Sequence, residues 1–484
     1  MAKSFINKKS ITMFSKLIIL ISFEFICMTI MAFGIQDKTT YVLYAIGFAA
    51  VLLGCTCFLP ETISKTKEQV VFIILLALCF VIKIMAANVF HPTPVADYKT
   101  FYDTAQSLSE SYYYTVNPLY IALFPHVFGY SEVLSAFFRM FGAAVGVAVN
   151  LNVVLSVLSM ACLYQIGKVL RGFPMAVVCS ILWIFFPSQS FWNSFVLSEP
   201  LYTTELLMFW CLILMMEKYQ SNKKKAVPLA VAAGLMLVLF QMSRTVGAIV
   251  IIAMFLTAFL VKIASMNTKK AVLVFLTVVV FLVGNRLAEY HVESRIGTAT
   301  GGFSWYHVCV GMEESTGGKW NEEDWNRVLG NVNYFQQNGY KKPAVEAQKV
   351  ERKEAERKVR NLSKPLELLR TKMKILLGND SSGIIIHLKY SDVSLKEKTC
   401  EQIEFLTNSF YYMLVLLSIF AGFLFFREKE GDISFIFLYT IGLTMGHMLI
   451  EVQERYHYSI LLGFLVGAAY TVSVVASFSK AESF

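Results

Sequence analysis

Apolar residues run along this chain in continuous blocks, not at the spacing of one helix face or one strand face. Each block is long enough to cross roughly 30 Å of hydrocarbon, which takes about 20 residues as helix. They predict spans near 13–33, 41–60, 69–87, 143–166, 173–189, 200–216, 227–243, 245–263, 270–288, 406–426, 432–452 and 459–477. The block at 173–189 is the least regular, because it runs into Pro187 and a polar stretch. A closed barrel would show short alternating segments, and the sequence has none. The predicted fold class is an all-α polytopic membrane protein with about twelve transmembrane helices.

Two segments between the blocks are too long to be turns. Residues 88–142 are aromatic and weakly charged, with amphipathic stretches that predict juxtamembrane helices lying along the membrane face. Residues 289–405 alone have the composition of a water-soluble region. The chain thus divides into a transmembrane module over 1–288 that includes the outer loop 88–142, an extracytoplasmic region over 289–405, and C-terminal transmembrane helices over 406–484. Within 289–405, Pro343 opens a charged stretch whose Glu354–Lys358 and Glu356–Arg360 spacings predict a solvated helix. The stretch 365–377 alternates apolar and basic positions at helical spacing and suits an outer lipid surface.

Composition agrees with a bilayer as solvent: 56% of residues are hydrophobic and 16% charged, at a mean hydropathy of +0.56. Lysine and arginine decide the orientation. Lys3, Lys8, Lys9, Lys65, Lys67, Lys168, Arg171, Lys218, Lys223–Lys225, Lys269, Lys270, Arg427, Lys429 and Lys480 fall in one set of connections. The alternate short connections carry little beyond Lys38 and Arg244. The positive-inside rule then predicts a multi-pass protein of the cytoplasmic membrane with both termini cytoplasmic. The net charge of +9 follows from this asymmetry and one charged loop, so no nucleic-acid partner is implied. The first block is too long, and too closely followed by a second, for a cleaved signal peptide. Of nine cysteines, seven lie in or beside apolar blocks; Cys309 and Cys400 share the large outer region, where a disulfide between them is open.

Ionisable groups near a membrane are costly, so their placement is informative. In the predicted topology they gather on the outer side. Asp97 and Asp103, six apart, cannot share one helix face, which makes them poor partners for a carboxylate dyad; both also suit ordinary loop acids. Glu199 precedes Pro200 at the outer mouth of the sixth block, as an N-terminal helix acid or as a group facing an outer cavity. Arg244 sits between two apolar blocks, either snorkelling or serving as a phosphate ligand. In GHMLIEVQERYHYS (446–459), His447, Glu451, Glu454 with Arg455, and Tyr458 recur at helical spacing, with Tyr456 beside them. This predicts a polar stripe down an apolar span; Glu451 and Arg455, four apart, can ion-pair on one face, as a structural pair at an interface or as part of a polar cavity. No Cys/His spacing of metal type is present.

Five stretches in this order carry a family resemblance: ADYKTFYDTA with LFPHVFGY, SFVLSEPLY, MSRT, GMEESTGGKWNEEDW and EVQERYHY. Together they resemble the GT-C class of polyprenyl-phosphate-sugar-dependent glycosyltransferases, in particular bacterial relatives of the protein O-mannosyltransferases and the aminoarabinose transferase. The resemblance covers most of the chain in topology and motif order. It implies a lipid-linked sugar donor entering from the bilayer, an acidic base in the first outer loop, and inverting transfer to an acceptor hydroxyl. Asp97 matches the catalytic acid position, and Arg455 with Arg244 would hold the donor phosphate. Relatives with an Asp-Glu pair differ, because Tyr98 follows Asp97; Asp103 and Glu199 are the candidates for a second carboxylate. An extra pair of spans precedes the first long loop, and Ser459 stands where relatives often have Pro. The resemblance implies no certain cofactor and leaves a divalent metal open.

The residues suit that chemistry, since a carboxylate can take the acceptor proton and arginines can stabilise a leaving phosphate. Tyr98, Tyr102 and Trp305 can stack on sugar rings or anchor the interface. Two other classes compete. A transporter or flippase of lipid-linked saccharides predicts ionisable residues at mid-bilayer, for which Glu24 and Lys83 are the main candidates. A polysaccharide polymerase or ligase would favour Arg- and His-rich outer loops. Sugar and acceptor, whether glycan, lipid or protein, are not specified by the sequence.

Overall fold

The computed structural model describes residues 8–427 and 433–481, without the side chains of 478–481; Lys3, Lys429 and Lys480 of the orientation argument lie outside the described side chains. Every regular element among the described residues is helical. Among the described residues eight helices are long and apolar enough to cross a membrane, or nine if one bent pair is counted as a span. Large apolar side chains on them, such as Phe14, Ile21, Phe25, Ile73 and Phe275, face outward with more than half their surface exposed. Such a surface needs lipid, so the chain is a multi-pass membrane protein.

The expected twelve spans differ from this count for identifiable reasons. Two of them form the continuous element Lys8–Thr56, whose halves meet at a kink where Lys38 leaves helical geometry (φ −144°, ψ 41°). The irregular block at 173–189 is bent by 58° between Phe173–Ile184 and Pro187–Ser194, where the Pro187 ring cannot continue the preceding helix. Gly247–Val261 and Ser434–Leu449 are apolar but shorter than 18 residues. Lys83 does not snorkel: it is fully buried, donates to Ser190 Oγ at 2.8 Å, and lies over the Trp183 ring.

The two long connections form an outer layer with its own aromatic core. Ala96–Glu110 packs on His126–Phe141, and Trp305–Gly311 and Glu322–Gln337 both pack on Pro343–Arg360. Tyr98, Phe101, Phe128, Tyr130, Trp192, Tyr306 and Leu388 share this core. Pro343–Arg360 is thus not solvated all round, since Ala344, Ala347, Glu351 and Ala355 are buried. Lys358 pairs with Asp324 and Glu313, not with Glu354 as its spacing suggested. Pro365–Leu377 also turns a face inward, burying Leu368, Lys372, Leu376 and Leu377 against the protein. All nine cysteines are free; Cys309 is buried and accepts from Arg327 Nη2.

One close approach fixes how the outer layer meets the spans. Gly129 lies against the end of Lys223–Ser243, where an added Cβ would stand 2.2 Å from the Met242 carbonyl oxygen. Neither helix backbone can yield without moving the other. Gly129→Ala is expected to lower the thermal unfolding midpoint in nanodiscs, at an overpacking cost of about 1–3 kcal/mol. An unchanged midpoint would show that the approach is looser than described.

Candidate active site

The element carrying His447 to Tyr458 is not one helix. Ser434–Leu449 ends, 450–453 run extended, a 3₁₀ turn covers Glu454–His457, and a new helix starts at Leu461. The expected polar stripe is therefore a break, and a break frees backbone groups that need partners. The outer layer supplies them. The Glu451 amide donates to the His307 carbonyl at 2.8 Å, and the Val452 amide to the Gly318 carbonyl at 3.0 Å. Lys372, fully buried, donates to the carbonyls of Gly311, Met448 and Ile450 at 2.8–2.9 Å. Three acceptors match the three protons of an ammonium. His457 adds a second anchor, donating through Nδ1 to the Leu376 carbonyl at 2.8 Å, with Nε2 2.9 Å from Asp380 Oδ1.

This break forms one wall of a cleft of about 470 Å³. Asp97 enters it from the first turn of Ala96–Glu110, where the helix dipole favours an anion. The residue before it, Ala96, has φ +44°, a left-handed conformation that costs an alanine roughly 1–2 kcal/mol. Arg455 Nη2 donates to Asp97 Oδ2, and Arg455 Nε lies 3.8 Å from Glu199 Oε1. Arg455 and Glu199 are buried, whereas 49% of the Asp97 side chain is open to the cleft. Burial pushes the Asp97 carboxyl up, but Arg455 outweighs it and holds the group below the usual carboxylate range.

Arg244, half-buried at the end of Lys223–Ser243, lines the same cleft. Its guanidinium lies over the rings of Tyr456 and Tyr202, 4.7 and 5.5 Å from their centroids. Among the described residues no carboxylate comes within salt-bridge distance of it. A cation held by ring faces, not by an acid, keeps its hydrogen-bond donors for a ligand.

Glu451 points into the cleft nearly fully buried, accepting from Gln453 Nε2 at 2.7 Å and lying 3.9 Å from His307 Nε2. It is not paired with Arg455 as their spacing suggested. Burial pushes its carboxyl up to about 7 against the Gln453 hydrogen bond, and the charge on Asp97 adds to the rise. Burial, helped by the neighbouring guanidiniums, holds His126 and His387 at about 3 and His307 at about 4. All three are neutral near pH 7.

Of the residues singled out from sequence, Asp97, Glu199, Arg244, Arg455, His447, Glu451 and Tyr456 line this one cleft. Three do not. Asp103 is exposed elsewhere on its helix, Glu454 is paired with Lys319, and Tyr458 is buried behind the wall. Sequence reasoning passed over His126, His307 and His387, together with Trp320, Trp325 and the Lys372 anchor. His126 and Trp320 lay inside quoted motifs, but nothing in their spacing separated them from ordinary loop residues. Among the described residues no three His, Cys, Asp or Glu side chains are grouped to hold a metal ion.

Glu451 gives the pH dependence a definite sign. Its carboxyl rises from about 4.5 to about 7 on folding. Its contribution to stability is therefore full below about pH 4.5 and lost as pH rises through about 7. Glu451→Gln is expected to flatten the decline of the unfolding midpoint between about pH 5 and about pH 8. Parallel wild-type and variant curves would contradict the assignment.

No protein-family model matches the chain, and neither does any curated protein. Among solved structures it is similar to the Archaeoglobus fulgidus oligosaccharyltransferase tethered to an acceptor peptide, at 12% identity and TM-score 0.48 over 87% of this chain and 50% of that one. The chain thus spans about half the length of that enzyme. It is similar to the same organism's oligosaccharyltransferase AglB in complex with an inhibitory peptide and dolichol-phosphate, at 11% identity, TM-score 0.48, and 87% and 52% coverage. A third similar structure is ArnT from Cupriavidus metallidurans bound to undecaprenyl phosphate, at 13% identity, TM-score 0.38, and 87% and 80% coverage. These TM-scores all lie below 0.5, and the functional reading rests on the side chains of the cleft.

Proposed function

We propose that this protein is a membrane glycosyltransferase that moves a sugar from a polyprenyl-phosphate carrier to an acceptor hydroxyl at the outer face of the cytoplasmic membrane. The observation that carries the reading is the presence, in one cleft, of a half-exposed carboxylate and a cation that has no acidic partner among the described residues. Asp97 faces the cavity, and Arg244 offers its donors to the same cleft.

Each group has a defined task in this chemistry. The donor phosphate binds Arg244 through charge-assisted hydrogen bonds and competes with Asp97 for Arg455. As Arg455 turns toward the phosphate, Asp97 loses its counter-ion and becomes a stronger base. The acceptor hydroxyl then attacks the anomeric carbon and its proton passes to Asp97. The bond between that carbon and the phosphate oxygen breaks on the opposite face, so the configuration inverts. The electron pair leaves with polyprenyl phosphate, whose growing charge the two arginines stabilise in a water-poor site. Glu199 stays buried beside Arg455 and offsets part of its charge throughout.

Asp97→Asn is expected to lower kcat for transfer about 10²–10⁴-fold while donor binding is kept or tightened, because Arg455 is freed. Arg244→Ala is expected to weaken donor affinity roughly 10- to 100-fold, the worth of a hydrogen bond to a charged group. Asp103→Asn should leave transfer unchanged. Radiolabelled sugar transfer in membranes reads all three, and wild-type activity in Asp97→Asn would remove Asp97 as the base.

A further inference from the structure

Resting on the glycosyltransferase reading, the chemistry of the cleft mouth narrows the acceptor. Trp320 and Tyr390 line the cleft yet keep 49% and 63% of their surface exposed. Trp325, also in the lining, stacks on Phe124 with ring centroids 5.8 Å apart and planes 17° from parallel. Large rings left open at a cleft mouth present flat apolar faces that water solvates poorly.

Charge restricts what can lie on them. The lining of the cleft holds two guanidiniums, Arg244 and Arg455, against three carboxyl groups, Asp97, Glu199 and a part-protonated Glu451. The donor phosphate takes the guanidiniums, and Lys319 beside Trp320 is committed to Glu454. No cation in this lining then remains for an anionic acceptor, which would also face the carboxylates. A pyranose fits both conditions. Its C–H face is apolar and flat, and its hydroxyl rim suits neutral groups such as Gln453, His307 and His387.

We propose that the acceptor is an uncharged saccharide, stacked on Trp320 and Tyr390 at the cleft mouth so that one hydroxyl reaches Asp97. The full chain in nanodiscs, saturated with undecaprenyl phosphate, is tested by equilibrium dialysis. The probes are radiolabelled maltotetraose, cellotetraose and chitotetraose, a glycerol-phosphate tetramer and a Ser/Thr-containing peptide. Saturable binding of at least one neutral oligosaccharide is expected, weakened about 2- to 10-fold in Trp320→Ala and restored in Trp320→Tyr. Thermal stabilisation by undecaprenyl phosphate should be the same in all three proteins. Binding of the peptide or the glycerol phosphate in place of every saccharide overturns the proposal, as does saccharide binding that ignores Trp320→Ala. If undecaprenyl phosphate fails to stabilise the wild type, the glycosyltransferase reading falls and this one with it.

Discussion

A guanidinium buried away from water has to be neutralised, and Arg455 meets that demand by reaching Asp97 and approaching Glu199. Taking such an ion out of water costs several kcal/mol, so the surrounding structure must hold its partners in place. Three elements are joined by this one side chain. The start of Ala96–Glu110 brings Asp97, the start of Glu199–Lys218 brings Glu199, and the break before Leu461 brings Arg455 itself. Removing either acid would leave a buried cation short of its counter-charge. That makes the pair structural and, in the transfer proposed above, chemical as well, because a donor phosphate would compete for Arg455.

The rest of the outer layer can be understood as what keeps that break rigid. An extended segment at the end of an apolar helix would expose unpaired amides and carbonyls to lipid, a costly arrangement. Lys372 closes three carbonyls at once, His307 and Gly318 accept two amides, and His457 ties the 3₁₀ turn to Leu376 and Asp380. Gly311 allows the contact, since an added Cβ would stand 2.4 Å from the Ile450 carbonyl carbon. The region between 289 and 405 is thus more than a soluble appendage. It completes the hydrogen bonding of a membrane helix that stops short.

Much of this could be read from the chain because the solvent imposes it. Continuous apolar blocks announce spans whatever the tertiary arrangement, and costly charges beside them pointed to Asp97, Glu199, Arg244, Glu451 and Arg455 before any coordinates. Helical periodicity misled at 446–459, where residues three and four apart were assumed to share a face of one helix. The backbone breaks there because distant groups, Lys372 foremost, satisfy it, and no local pattern encodes a partner 76 residues away. Glu454 and Asp103 lie outside the cleft for the same reason, since their surroundings depend on Lys319 and on the packing of the outer layer. The neutral histidines escaped notice because only burial beside the guanidiniums sets their protonation.

The central claim is that Arg455 is shared between Asp97 and the donor phosphate. An electron cryomicroscopy structure of the full chain in nanodiscs with undecaprenyl phosphate tests it most directly. The account predicts the phosphate in contact with Arg244 and Arg455, with the Arg455 guanidinium drawn off Asp97 into the cleft. A phosphate bound elsewhere, with the Asp97–Arg455 pair intact, would contradict it.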